Sequence, residues 1–194
     1  MSVARPTRSA QVPPAVPVAP VTRGAGTQIV TLDGQNLALR PITPDDAEAL
    51  VAFHCTLSDE SIYLRYFTVH PHLTVNELDH FTHVDGSRRV ALVAWDGERI
   101  VGVGRYDRIG EAPKAEVAFV ITDAYQGRGI ATAILRELAR IATEHGIDTF
   151  VADTLFQNTT MRRVFSDAGY KLLTDVESNV VHVEFALDPG PAHD

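Results

Sequence analysis

Six consecutive residues, Gln126-Gly127-Arg128-Gly129-Ile130-Ala131, have the composition of an anion cradle. Two glycines let a ligand approach the main chain. The apolar stripe that follows predicts a helix whose first free N–H groups and positive dipole end converge on the same place. Two other phosphate loops are excluded. A P-loop requires Lys and Ser/Thr after its last glycine, and Gly129 is followed by Ile130 and Ala131. A dinucleotide fingerprint starting at Gly127 and Gly129 requires Gly or Ala where Thr132 stands. The second chemical candidate is Glu116, the one carboxylate in the apolar run Ala115–Ile121. If the strand is buried, desolvation would raise the pKa of Glu116 toward the range of a general base. The competing structural role is an ion pair with an arginine such as Arg105 on a neighbouring strand.

The remaining reactive residues carry weaker signals. Cys55 is the only cysteine, which excludes internal disulfides and fits a reducing, cytoplasmic compartment. It is expected to pack as a small apolar residue of the first helix. His70, His72, His80 and His83 cluster in sequence, but no cysteine or closing carboxylate completes a ligand pattern, so no metal is expected.

These residues need a frame to hold them. In Ala115–Ile121, Glu116, Ala118 and Val120 point one way and Val117, Phe119 and Ile121 the other, which predicts a central strand. The helix after the glycine loop carries Ile130, Ile134, Leu135, Leu138 and Ile141 on one stripe and stops at His145-Gly146. A strand at Thr149–Asp153 completes a βαβ unit, parallel and right-handed. Upstream, hairpins are predicted over Gln28–Ile42 and Arg89–Asp107, separated by helices opening at Thr43-Pro44, Ser58 and the capping box Thr74-Val75-Asn76-Glu77. Downstream, Asn158 caps a helix reaching Ala168, and strands follow at Tyr170–Leu172 and Val180–Leu187. The fold class is α/β (α+β), a mixed, mostly antiparallel sheet of six to seven strands around one parallel pair.

The domain predicted over residues 27–189 lies between a Pro/Ala-rich flexible arm, residues 1–26, and a short tail, residues 190–194. The whole chain has 17 basic and 25 acidic residues, net −8. Three of the basic residues lie in the arm, which leaves 14 against 25 and a net −11 for the rest. That charge disfavours nucleic acid and anionic membranes and suits a cationic amine. No apolar run approaches a membrane span.

The loop Gln126–Ala131 resembles the acetyl-CoA pyrophosphate loop of the GNAT superfamily of N-acetyltransferases. So does the second landmark, Asn158, Met161, Val164, Phe165 and Gly169-Tyr170. The resemblance covers residues 28–187 and implies the GNAT fold, with acetyl-CoA as co-substrate. It implies that main-chain groups of Phe119, Val120 and Ile121 hold the pantetheine arm. The pyrophosphate would then lie on Gln126, Gly127, Arg128, Gly129, Ile130, Ala131 and Thr132, with Asn158 also at the cofactor. Arg162 or Arg163 could reach the 3′-phosphate.

A narrower resemblance is to Pat-type bacterial protein lysine acetyltransferases, carried by Ser58-Asp59-Glu60-Ser61 through Arg65-Tyr66-Phe67 and by Ala115–Val120. It implies Glu116 as general base and a protein lysine as acceptor, on an acyl-CoA synthetase in that group. A small amine is the alternative acceptor, and a non-catalytic acyl-CoA-binding module the alternative of another class. Members of that group often carry a regulatory or synthetase-like domain; only the arm precedes this one, which puts small-molecule regulation in doubt. Monomer and homodimer are both compatible. Phe165 departs from the family, many members of which have there a tyrosine that protonates the leaving thiolate.

Overall fold

A computed structural model describes residues 26–187. Residues 1–25 and 188–194, which take in almost all of the expected arm and the tail, lie outside the described residues. Eight strands form one sheet in the order β1-β2-β3-β4-β5-β6-β8-β7. They are β1 Thr27–Val30, β2 Asn36–Pro41, β3 Arg89–Asp96, β4 Arg99–Arg108, β5 Lys114–Ile121, β6 Thr149–Leu155, β7 Leu173–Glu177 and β8 Val180–Ala186. Every neighbouring pair is antiparallel except β5 and β6. The expected range of six to seven strands is exceeded by one. The penultimate strand lies at Leu173–Glu177 rather than Tyr170–Leu172. All five of its residues are exposed, so it carries no alternation of apolar and polar positions to mark it.

The parallel pair is bridged by α4, Ile130–Glu144, whose Ile130, Ile134, Leu135 and Leu138 are fully buried while Ile141 packs at the margin. With α5, Thr159–Asp167, this helix covers one face of the sheet, where Val117, Phe119 and Ile121 join the larger core. Gly104 of β4 makes the close fit possible: a Cβ there would lie 2.3 Å from Ile134 Cγ2 and 2.7 Å from Phe119 Cδ1.

The other face is covered from β2 to β5, with α2 reaching β6, by α1 Ala47–His54, α2 Asp59–Tyr66 and α3 Val75–Thr82, around a second core that includes Leu50, Phe53, Leu57 and Trp95. A 3₁₀ turn at Pro44–Asp46 leads into α1. Asp46 accepts both guanidinium nitrogens of Arg40 at 2.7 Å and the Thr43 N–H at 2.8 Å. Burial works to raise the pKa of Asp46, but these donors outweigh it and hold the carboxyl below its ordinary range. The predicted caps are present at Ser58 and Thr74. Cys55 is exposed, contrary to the expectation that it packs inward: it falls at the C-cap of α1, after Leu50, Phe53 and His54 have taken the core-facing positions.

Candidate active site

The site begins where two strands part. β5 and β6 are in register only at Lys114–Thr149, Ala115–Phe150 and Glu116–Val151. Beyond Glu116, β5 runs on to Ile121 with β4 as its only strand neighbour. The Thr122 N–H donates to Val101 O at 3.0 Å. Alternation along an antiparallel ladder then sends the peptide groups of Glu116, Ala118 and Val120 toward β4, and those of Val117, Phe119 and Ile121 into the gap. The Ile121 carbonyl accepts from Gln126 Nε2 at 3.2 Å, as this direction requires. Phe119 and Ile121 therefore turn main-chain groups into the gap. The peptide groups of Val120 belong to the β4 ladder, and its side chain faces a cavity on the other side of the sheet.

The glycine loop closes the far end of the gap. Gly127 and Gly129 have φ of +72° and +81°, values that L side chains rarely adopt, and Gly129 is the N-cap of α4. The Ala133 N–H reaches Gly129 O at 3.0 Å, whereas the N–H groups from Gly127 through Thr132 find no acceptor among the described residues. That leaves main-chain donors from Gly127, Arg128, Gly129, Ile130, Ala131 and Thr132 together at a helix N-terminus.

Two side chains of the loop face elsewhere. The Arg128 guanidinium is bound by Asp33, bonds Gln35 Oε1 at 3.1 Å and lies 4.9 Å from the Tyr125 ring centre. Gln126 Nε2 donates to Ser61 Oγ at 3.0 Å besides Ile121 O. Asn158 caps α5, its Oδ1 accepting from the Met161 N–H at 3.0 Å. Phe165 is completely buried, 5.0 Å from the ring of Phe185. Arg162 lies over Phe156, and Arg163 is exposed.

The Ser58–Ser61 stretch has a role that spacing alone did not show. Asp123, at the end of β5, accepts from Ser58 N–H at 3.0 Å, Ser58 Oγ at 2.7 Å and Ser61 Oγ at 3.0 Å. Burial works against the charged form of Asp123, but the serine donors prevail and depress its pKa. The N-terminus of α2 is thus tied to the loop that leads into the glycine turn.

Glu116 is exposed, so the burial expected to tune it is absent. Nor does it pair with Arg105. That guanidinium binds both oxygens of Asp107, at 2.8 and 2.9 Å, and His80 Nε2 at 3.0 Å. Among the described residues Glu116 has no ion-pair partner, and it stands at the last position where β5 and β6 are in register.

Next to it, on the same face of β5, a cavity of about 40 Å³ lies between α1, α2 and the sheet. Its walls are mainly apolar, from Leu50, Phe53 and Leu57 to Ala118 and Val120 of the strand, with His54, Arg65, Tyr66 and Arg105 among them. His54 is 3% exposed, and its Nε2 has no hydrogen-bond partner among the described residues. Burial lowers its pKa, His70 and His72 add to the effect, and Glu77 opposes it. The Tyr66 phenol is pushed up by burial. The histidines of this region serve in the packing: His70 stacks on Tyr66 at 4.4 Å, with Nε2 3.1 Å from Glu77 Oε1. Among the described residues no group of three or more His, Cys, Asp or Glu is placed to hold a metal ion. His54 of α1 and Arg65 of α2 converge on this cavity although no sequence pattern links them.

A parted parallel pair, a glycine loop at the N-terminus of the crossover helix and Asn158 capping the next helix agree with comparison to known families. The family described as Acetyltransferase (GNAT) domain matches residues 36–171. The chain belongs to the GNAT acetyltransferase family. Among solved structures, this GNAT chain is similar to the GNAT domain of S. lividans PAT, with 44% identity and a TM-score of 0.79, over 83% of the chain and 96% of that domain. It is 32% identical over 139 residues to acetyltransferase Pat of Mycolicibacterium smegmatis, covering 70% of the chain but 41% of that relative's length. Acetyltransferase PA5475 of Pseudomonas aeruginosa is 29% identical over 142 residues, 71% of the chain and 76% of the relative. No helix among the described residues is long and apolar enough to cross a membrane.

Proposed function

We propose that this domain transfers the acetyl group of acetyl-CoA to the side-chain amine of a protein lysine, by direct attack in a ternary complex with Glu116 as base. The observation that carries the reading is the position of Glu116. It is exposed, at the last in-register residue of β5, and the peptide groups facing the gap continue immediately beyond it. The chain's similarity to proteins called Pat supports a protein acceptor. An exposed carboxylate also suits an amine presented on a large partner.

The residues present fit acetyl-CoA, the donor of this family. The unpaired N–H groups of Gly127 to Thr132 would hold the pyrophosphate, and main-chain groups of Val117, Phe119 and Ile121, with Asn158, the pantetheine arm. The donor supplies an activated thioester. A lysine ammonium has a pKa of about 10.4 and attacks only after losing a proton, which Glu116 accepts. The amine nitrogen bonds the carbonyl carbon, and a gap-facing main-chain N–H meets the oxyanion. The C–S bond then breaks. Phe165 offers no proton, and a thiol, with pKa of about 8.5, is acidic enough to leave as the thiolate.

Cytoplasmic location belongs to the same reading. The test is steady-state transfer to a lysine-bearing protein by Glu116→Gln at saturating acceptor across pH. A kcat about 100-fold lower is expected; near-normal turnover at every pH removes Glu116 from the role.

A further inference from the structure

Arg65 has no obvious partner in the fold. It lines the cavity beside β5, half-buried, with its guanidinium 5.1 Å from the Tyr66 ring centre. Among the described residues it makes no hydrogen bond or ion pair. Glu116 and Asp107 act on it electrostatically from beyond ion-pair distance, and Asp107 is already taken by Arg105. Burial pushes its pKa down from the ordinary arginine value. The contrast with the other buried arginines is sharp: Arg40 has Asp46 and Arg105 has Asp107, each at close range. A second group in the same cavity also lacks a partner, the buried Nε2 of His54. With Arg105 neutralised by Asp107, the guanidinium of Arg65 is left to repel an ammonium, so the cavity does not suit an acceptor's charged amine and instead attracts a carboxylate. A guanidinium grips a carboxylate with two parallel bonds.

We propose that this cavity binds a short aliphatic chain ending in a carboxylate, with Arg65 as its ion-pair partner and His54 Nε2 as a polar contact within. A volume of about 40 Å³ has room for roughly three small groups the size of water or a methylene. A carboxylate takes that space itself, and glutarate, whose methylenes can reach out of the cavity toward β5, is a suitable probe. Such a carboxylate has two sources: the far end of a dicarboxylic acyl group on CoA, or the carboxylate of an amino-acid acceptor. In either case the transfer balances as before. The amine nitrogen bonds the acyl carbon, the C–S bond breaks, one proton leaves the amine and CoA departs as thiolate. The inference rests on the proposed function only for the side of β5 on which the acyl carbon stands.

The first test needs no turnover. Glutarate is titrated into the full chain while the Arg105 side-chain Nε–H and His54 ring signals, which survive substitution of Arg65, are followed by NMR, with glutaramide as the uncharged control. Saturable shifts with glutarate alone are expected, lost in Arg65→Gln and partly kept in Arg65→Lys, both checked for native melting. No saturable shift in the wild type, or the same shift in Arg65→Gln, overturns the proposal. Two kinetic ratios then separate the sources. If the acyl group carries the carboxylate, Arg65→Gln lowers kcat/KM for glutaryl-CoA relative to acetyl-CoA about tenfold or more. If the acceptor carries it, the 4-aminobutyrate to butylamine ratio falls instead. If neither ratio moves, the proposal fails. Absence of acetyl transfer to protein lysines would sink the proposed function while leaving the glutarate titration intact.

Discussion

The two faces of β5 are built for different ends. Val117, Phe119 and Ile121 are sealed under α4 and α5, with neighbours such as Ile134 and Phe165 that leave no room to move. Glu116, Ala118 and Val120, one residue out of phase on the same strand, look onto an exposed edge and a cavity with two partnerless polar groups. One face supplies the stability that lets the other keep a free carboxylate, a buried unpaired histidine and an unpaired arginine. These are the features that folding alone would remove.

Substitutions that separate the faces test this contrast. The largest effect is expected from Phe119→Ala, which removes a ring that is 2% exposed; about 3–5 kcal/mol of stability should be lost in urea unfolding. Val120→Ala on the other face should cost about 1 kcal/mol or less. Equal losses would show that Val120 is held as tightly as Phe119. Next comes Glu116→Gln, whose effect of about two orders of magnitude on kcat should leave the urea midpoint within about 0.5 kcal/mol of wild type.

His54→Phe should act in the opposite direction and stabilise the fold by about 1 kcal/mol, since a buried nitrogen without a partner is removed. It should also flatten the pH dependence. Burial, with His70 and His72, depresses the folded-state pKa of His54. As pH falls below about 6.5, the unfolded chain takes up a proton that the folded one does not. Wild-type stability therefore declines from about pH 6.5 down to the folded pKa, and the variant should lose that part of the slope in melting scans from pH 7.5 to 5. A destabilisation of similar size to the His54 gain is expected for Ser61→Ala, which removes hydrogen bonds to Asp123 and Gln126. A loss of about 1 kcal/mol is expected, read most directly as faster amide exchange at the start of α2.

Local patterns were legible and convergence was not. β5, the glycine turn, the apolar stripe of α4 and the Asn158 cap each reside in a few adjacent residues, and each was found where periodicity and capping chemistry placed it. Glu116 was expected to be buried because its strand neighbours are apolar. Whether that end of the face is covered depends on how far α1–α3 extend across the sheet, which no property of the strand reveals. The partnership of Arg105 with Asp107 rather than Glu116 is set by two side chains on one face of β4, against a rival across the register. His54 and Arg65 come from different helices and meet only once both are docked. β7 is a polar edge strand and offered no apolar rhythm at all.

The hydrogen bonds joining Asp123 and Gln126 to Ser58 and Ser61 have a thermodynamic consequence. The loop that would receive the donor and the helix that carries Arg65 share those bonds, so a ligand that shifts one must bias the other. Linkage then makes the effect reciprocal: whatever factor the donor applies to the affinity for the second ligand, the second ligand applies to the donor. The coupling between the two ligands would therefore run through a few hydroxyls at the start of α2, remote from the bonds that are made and broken.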